Sequence, residues 1–240
     1  MSLDGARLKV VRAKEHLDAI EDAIASYIKS EPYIMSAKKY IQGRHPQAEL
    51  SNQIHPRISA IIGDCLHNLR CSLDYVMWEV GGTYADRVLV PPPHGRDKLY
   101  FPICHAPTEF DNRYVKLLAD YKIPDPVVAD LRAVQPYNAG YEALALLNVL
   151  INVDKHRLPI LTLAEISGFK LIIRHTTNSD SNIPPKFNSA GSQNPDVDIQ
   201  PTVAVTWEDV TMPREPVHRT LKEIFETVAD VVPKFDRYVL

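Results

Sequence analysis

Apolar residues recur at alternating steps of three and four near the start of the chain. Val10, Ala13, Leu17, Ile20, Ile24 and Tyr27 form such a seam, with Lys, Arg, Asp and Glu at the remaining positions, which predicts a helix over 4–31. Pro32 ends it, because a proline ring donates no amide and disfavours helical geometry in the residue before it. Ile62, Leu66, Leu69, Leu73, Val76, Met77 and Val80 repeat the pattern and predict a long helix over 56–82, opened by Pro56 and stopped by Gly81-Gly82. Between the two, Tyr33-Ile34-Met35 and Lys39-Tyr40-Ile41 with a turn at Gly43-Arg44-His45-Pro46 predict a β-hairpin within 33–52.

Downstream, the Pro-rich stretch 86–107 reads as an ordered loop crossing the surface of a helical bundle. Thr108–Tyr121 is expected to be helical with Phe110, Tyr114, Leu117 and Leu118 inward, followed by a shorter helix over Asp125–Val134. A largely apolar helix covers 141–157. After Pro159 the pattern turns β-branched and alternating. Residues 160–163 and 169–174, split by Ser167-Gly168, read as a hairpin, 176–195 as a mobile loop, and Val197–Trp207 as a further strand. A last amphipathic helix spans 216–235. The expected fold class is α+β: one domain over 1–240, mainly a bundle of about four long helices, with β elements from 33–52 and 159–207 forming a small antiparallel appendage.

Composition narrows the function classes. Lys and Arg number 27 against 30 Asp and Glu, a net charge of −3, so no global basic field advertises nucleic acid. The three cysteines, Cys65, Cys71 and Cys104, lack CxxC spacing, which argues against a disulfide framework or a zinc ribbon and for the reducing cytoplasm. Met1-Ser2-Leu3-Asp4-Gly5 lacks the charged and apolar regions of a signal peptide, and no apolar run is long enough to cross a bilayer. GxxxxGK[ST], GxGxxG, GxSxG and HExxH motifs are absent, so neither a metal nor a cofactor is called for.

Two polar clusters remain. On the 56–82 helix, Arg70, Asp74, His67, Trp78, Cys71 and Asp64 fall on a stripe facing away from the apolar one. Arg70 and Asp74 are spaced for an i, i+4 salt bridge that would hold a guanidinium beside the His67 imidazole. On the 141–157 helix, Asn148, Asn152 and His156 run i, i+4, i+8 down one face, joined by Asp154, Lys155 and Arg157. Metal-independent cleavage of an RNA phosphodiester needs a base, an acid and fixed positive charge, which His with Arg or Lys can supply. The same residues serve equally well as an ordinary ion pair and polar packing contacts in a bundle.

At these residues a resemblance arises. Gly63–Asp74, Phe101-Pro102-Ile103, Gln135-Pro136-Tyr137 and Asn152–Arg157 resemble blocks in a group of uncharacterised bacterial proteins that carry GDxLHNLRxxLD and, later, NxDKHR. The match runs over most of residues 7–163 and brings no established activity. More loosely, a helical core with a polar-x-x-x-His motif resembles the HEPN superfamily, whose members are often metal-independent ribonucleases. Asn152 and His156 fit the second part of that pattern, but Ile151 stands at its arginine position, and Tyr75 stands where a histidine would complete an Arg-x4-His motif from Arg70. The resemblance implies RNA cleavage or binding in a cleft between the clusters, with His156 as general base or acid and His67 as its counterpart. Arg70 and Lys155 would bind phosphate, Asp74, Asn148 and Asn152 would orient them, and Asp64, Asp154 and Arg157 would line the same cleft. The alternative is a non-catalytic bundle that binds a protein partner or forms a homodimer.

Overall fold

Asp4–Lys29 forms α1, with Ala13, Leu17, Ile20 and Ile24 of the predicted seam buried and Val10 and Tyr27 at its margins. The structure is a computed structural model that describes residues 2–40, 43–50, 54–84, 99–156, 162–173, 197–207 and 215–239. Helix α1 closes on Glu31, whose φ of +50° turns the backbone left-handed just before Pro32. The chain is α+β, mainly helical with two small antiparallel sheets of two strands each. It divides into two compact units, one of Met1–Glu21, Arg57–Ile160 and His218–Leu240, the other of Asp22–Pro56 and Leu161–Val217.

In the first unit α2 (Arg57–Tyr84) is the central element. Its predicted stripe is sealed: Ile62, Leu66, Leu69, Leu73, Val76, Met77 and Val80 are all fully buried. The expected stop at Gly81-Gly82 is corrected. Both glycines lie buried inside the helix, which runs on to Tyr84, so at this point close packing outweighs the weak helix propensity of glycine. Helices α1 and α2 meet through Cys65, whose Sγ lies 3.4 Å from the Ala13 carbonyl, and through Lys9 Nζ, 3.2 Å from Asn68 Oδ1.

The chain then returns along Leu99–Cys104, an irregular segment. The expectation of a surface loop over 86–107 is corrected for Leu99–Cys104, while 86–98 lie outside the described residues: Leu99, Phe101, Pro102, Ile103 and Cys104 are buried, and the Phe101 ring meets Phe235 edge-on at 5.9 Å. Its apolar side chains draw it inward. Three helical pieces follow without a break, α3 (Pro107–Phe110), a π-helical turn (Asp111–Val115) and α4 (Lys116–Asp120). Phe110 and Leu118 are buried as expected, while Tyr114 and Leu117 are half-buried. Helix α5 (Asp125–Ala133) begins after Pro124, and α6 (Ala143–His156) packs on α2 and buries Leu144, Leu147, Leu150 and Ile151. Helix α7 (Val217–Val231) buries Val217, Leu221, Ile224, Val228 and Val231, then tightens at Pro233 into a 3-10 helix (Val232–Tyr238). Tyr238 Oη ties that end to α5 by donating to Asp130 Oδ2 at 2.8 Å.

The second unit holds both sheets. Strands β1 (Tyr33–Tyr40) and β2 (Gly43–Leu50) pair antiparallel with Tyr40 opposite Gly43. The turn expected at Gly43–Pro46 is instead part of β2, and Pro46 stands opposite Ala37. A two-stranded ribbon tolerates that proline because each strand has an edge with no ladder to complete. Strand β3 (Thr162–Ile173) pairs antiparallel with β4 (Val197–Trp207). The hairpin expected around Ser167-Gly168 is corrected: β3 is continuous, and the register shifts between Ile166 and Gly168, leaving Ser167 as a bulge whose Oγ donates to Thr202 O at 3.2 Å. A Ser-Gly pair suits a bulge as well as a turn. The loop expected over 176–195 lies outside the described residues.

Candidate functional site

The predicted ion pair on α2 forms, and it does more than pair two charges. Arg70 Nε donates to Asp74 Oδ2 at 3.1 Å and Nη2 to Asp74 Oδ1 at 2.8 Å, a two-pronged bridge between side chains only 14% and 27% exposed. The same Nη2 donates to Phe101 O at 2.9 Å, and Asp74 Oδ1 accepts the Phe101 amide at 3.0 Å. Both backbone polar groups of one buried residue are thus held by one turn of α2. An irregular segment can enter a core only if its amides and carbonyls find partners, and Arg70 and Asp74 provide them.

Gln135 holds the backbone on either side of Ile103. Fully buried after α5, it accepts the Cys104 amide at Oε1 (2.9 Å) and donates from Nε2 to Pro102 O (2.9 Å) and Leu131 O (2.8 Å). Three stretches far apart in the chain, Gly63–Asp74, Phe101-Pro102-Ile103 and Gln135-Pro136-Tyr137, therefore belong to one hydrogen-bonded assembly. Reasoning from residue chemistry gave Gln135 no role. A lone amide after the apolar run of α5 was the available signal, since a buried amide must find partners.

The remaining predicted residues make none of the clamp's hydrogen bonds among the described residues. His67 is exposed, and its Nε2 lies 3.4 Å from Cys71 Sγ. Asp64 is exposed, and its main-chain carbonyl accepts the Asn68 side-chain amide at 2.8 Å. On α6, Asn148 is half-buried and Asn152 exposed. Asp154, Lys155 and His156 form the last turn of α6; their side chains, like all of Arg157, lie outside the described residues. A groove of about 450 Å³ opens between the start of α6 and α7, lined by residues that include Glu142, Leu146, Glu223 and Glu226, but by none of the predicted site residues.

Burial sets the character of two of the thiols. Cys65 is pushed up to about 12 and Cys104 to about 11, chiefly because a thiolate would be stranded in an apolar interior. Burial likewise raises Tyr114 and Tyr137, and the Tyr137 hydroxyl is sealed from solvent with no hydrogen-bond partner among the described residues. At the start of α3, Glu109 is held below the usual carboxylate range, first by the His105 amide donating to Oε2 at 2.8 Å and then by Arg113 at 2.7 Å. Among the described residues, no group of three or more His, Cys, Asp or Glu side chains is placed to hold a metal ion, and no helix is long and apolar enough to cross a membrane.

No protein-family model matches the chain, and neither a curated protein nor a solved structure matches it.

Proposed function

We propose that this chain is a non-catalytic helical interaction module in which the α2 block serves the fold. The observation that carries this reading is the use made of Arg70. A phosphate-binding arginine must offer its fork to the ligand, whereas here Nε and Nη2 are spent on Asp74 and on the Phe101 carbonyl. The apolar side chains offered to a protein partner are Leu8 and Val11 on α1 and Tyr75 and Trp78 on α2, each between 42% and 62% exposed. Aromatic side chains bordered by polar residues suit protein contact.

A second reading, metal-independent RNA cleavage or binding, draws on the packing of α6 against α2, which makes neighbours of the helices that carry His67 and His156. One experiment separates the two. Purified protein is incubated with mixed RNA in EDTA, beside His156→Ala and His67→Ala. The interaction-module reading expects intact RNA in all three samples. Cleavage by the wild type that either substitution abolishes would overturn it in favour of the nuclease.

A further inference from the structure

The three thiols of the chain stand in different surroundings. Cys65 and Cys104 are fully buried, and the apolar interior keeps both protonated. Cys71 is half-buried near the middle of α2, and its Sγ lies 3.4 Å from Nε2 of the exposed His67. The i, i+4 spacing places the two side chains one above the other on the same side of the helix. A thiol becomes a nucleophile only as the thiolate, and an imidazole in contact with it can take the proton. Arg70, between them in the chain, is committed to Asp74 and the Phe101 carbonyl, so the base that the structure sets against this sulfur is His67.

The place of this pair limits the chemistry open to it. Acyl transfer needs fixed N–H donors aimed at a developing oxyanion. Inside α2 the neighbouring amides are committed to the helix ladder, so the backbone around Cys71 supplies none. Attack on a disulfide needs no such donors, because the charge passes from the attacking sulfur to the departing one. We propose that Cys71, with His67 as its base, is a site of thiol–disulfide exchange that takes a low-molecular-weight disulfide and retains half of it as a mixed disulfide. His67 Nε2 accepts the Cys71 proton, Sγ attacks one sulfur of the disulfide, and the new S–S bond forms as the old one breaks. The departing thiolate then takes the proton from His67, so Cys71 is oxidised and the released half is reduced to a thiol. The other two thiols of the chain are buried, and the adduct therefore persists until an external thiol reverses it. The inference goes beyond the side chains offered to a protein partner and does not rest on them.

The test is incubation of the reduced full-length chain with glutathione disulfide near neutral pH, followed over time by intact mass and by peptide mapping. One glutathione per folded chain is expected, attached at Cys71 and removed by dithiothreitol. Cys71→Ser should take up none. His67→Gln keeps a polar side chain at an exposed position and should slow uptake about threefold, since the thiolate gained through a base is partly offset by its weaker nucleophilicity. A merely structural contact between the two side chains would leave that rate unchanged. No adduct on the folded chain, an adduct on Cys65 or Cys104 in place of Cys71, or an unchanged rate in His67→Gln would each overturn the inference.

Discussion

Arg70 and Asp74, one turn apart on α2, grip the two polar groups of a single peptide residue. The guanidinium donates to the Phe101 carbonyl at 2.9 Å while the carboxylate accepts the Phe101 amide at 3.0 Å, and the two side chains bridge each other at 2.8 Å. Removing either partner leaves the other charge half-buried and strips one backbone group of its hydrogen bond. Arg70→Ala and Asp74→Ala should each cost about 2–4 kcal/mol. In a chain of this size each kilocalorie is worth about 2–4 °C in midpoint. The double variant should cost less than the sum of the two, and Arg70→Lys should not rescue, because an ammonium cannot serve both carboxylate oxygens and the carbonyl with one planar fork. Thermal melts of the wild type and the four variants measure this. Additive losses would show that the bridge contributes nothing of its own.

Gln135 offers a second route to the same segment. Its amide nitrogen donates to Pro102 O and Leu131 O while its oxygen accepts from Cys104 N. Gln135→Ala should lose about 2–4 kcal/mol by leaving buried groups unpaired. Gln135→Glu is the sharper variant. Ionised, it keeps an acceptor for Cys104 but turns two donations into repulsions, so it should be at least as damaging at neutral pH and partly recover in acid as the carboxyl gains a proton. Urea unfolding at two pH values reads the difference.

Glu109 gives a pH dependence whose sign follows from its partners. Its carboxyl is held below the ordinary range by the His105 amide and by Arg113, so the unfolded chain binds that proton more readily than the folded one. The stabilisation is therefore complete above the unfolded carboxylate value, near 4.3, and fades as the pH falls through the lower folded value. Because the carboxylate is 29% exposed and Arg113 62%, Glu109→Gln should cost about 1 kcal/mol or less near neutrality. The wild-type advantage in thermal midpoint should hold at pH 6–7 and shrink below about pH 4. A constant gap down to low pH would show that the carboxylate's charge is not its source.

Much of this architecture can be read from spacing alone. The stripes of α1, α2 and α7 are legible because a helix buries every third and fourth residue whatever its neighbours, and the Arg70–Asp74 bridge because i, i+4 is a property of the helix itself. Glycine and serine were the weak points. Gly81-Gly82 and Ser167-Gly168 look like stops, yet the first pair sits inside α2 and the second beside a bulge in β3, and only the surrounding packing or pairing distinguishes these outcomes. The attachment of Leu99–Cys104 was not legible, because Arg70, Asp74 and Gln135 bind main-chain atoms, and every residue type offers the same carbonyl.

That indifference has an evolutionary corollary. A clamp that grasps peptide groups fixes where a strand of chain must pass while leaving its side chains to be chosen by the cavity they fill. Phe101 and Ile103 can therefore drift to other apolar shapes without altering the path, whereas a change at Arg70, Asp74 or Gln135 redirects it. The three holders should persist together among descendants of this chain, and the held residues should vary in bulk but seldom in polarity.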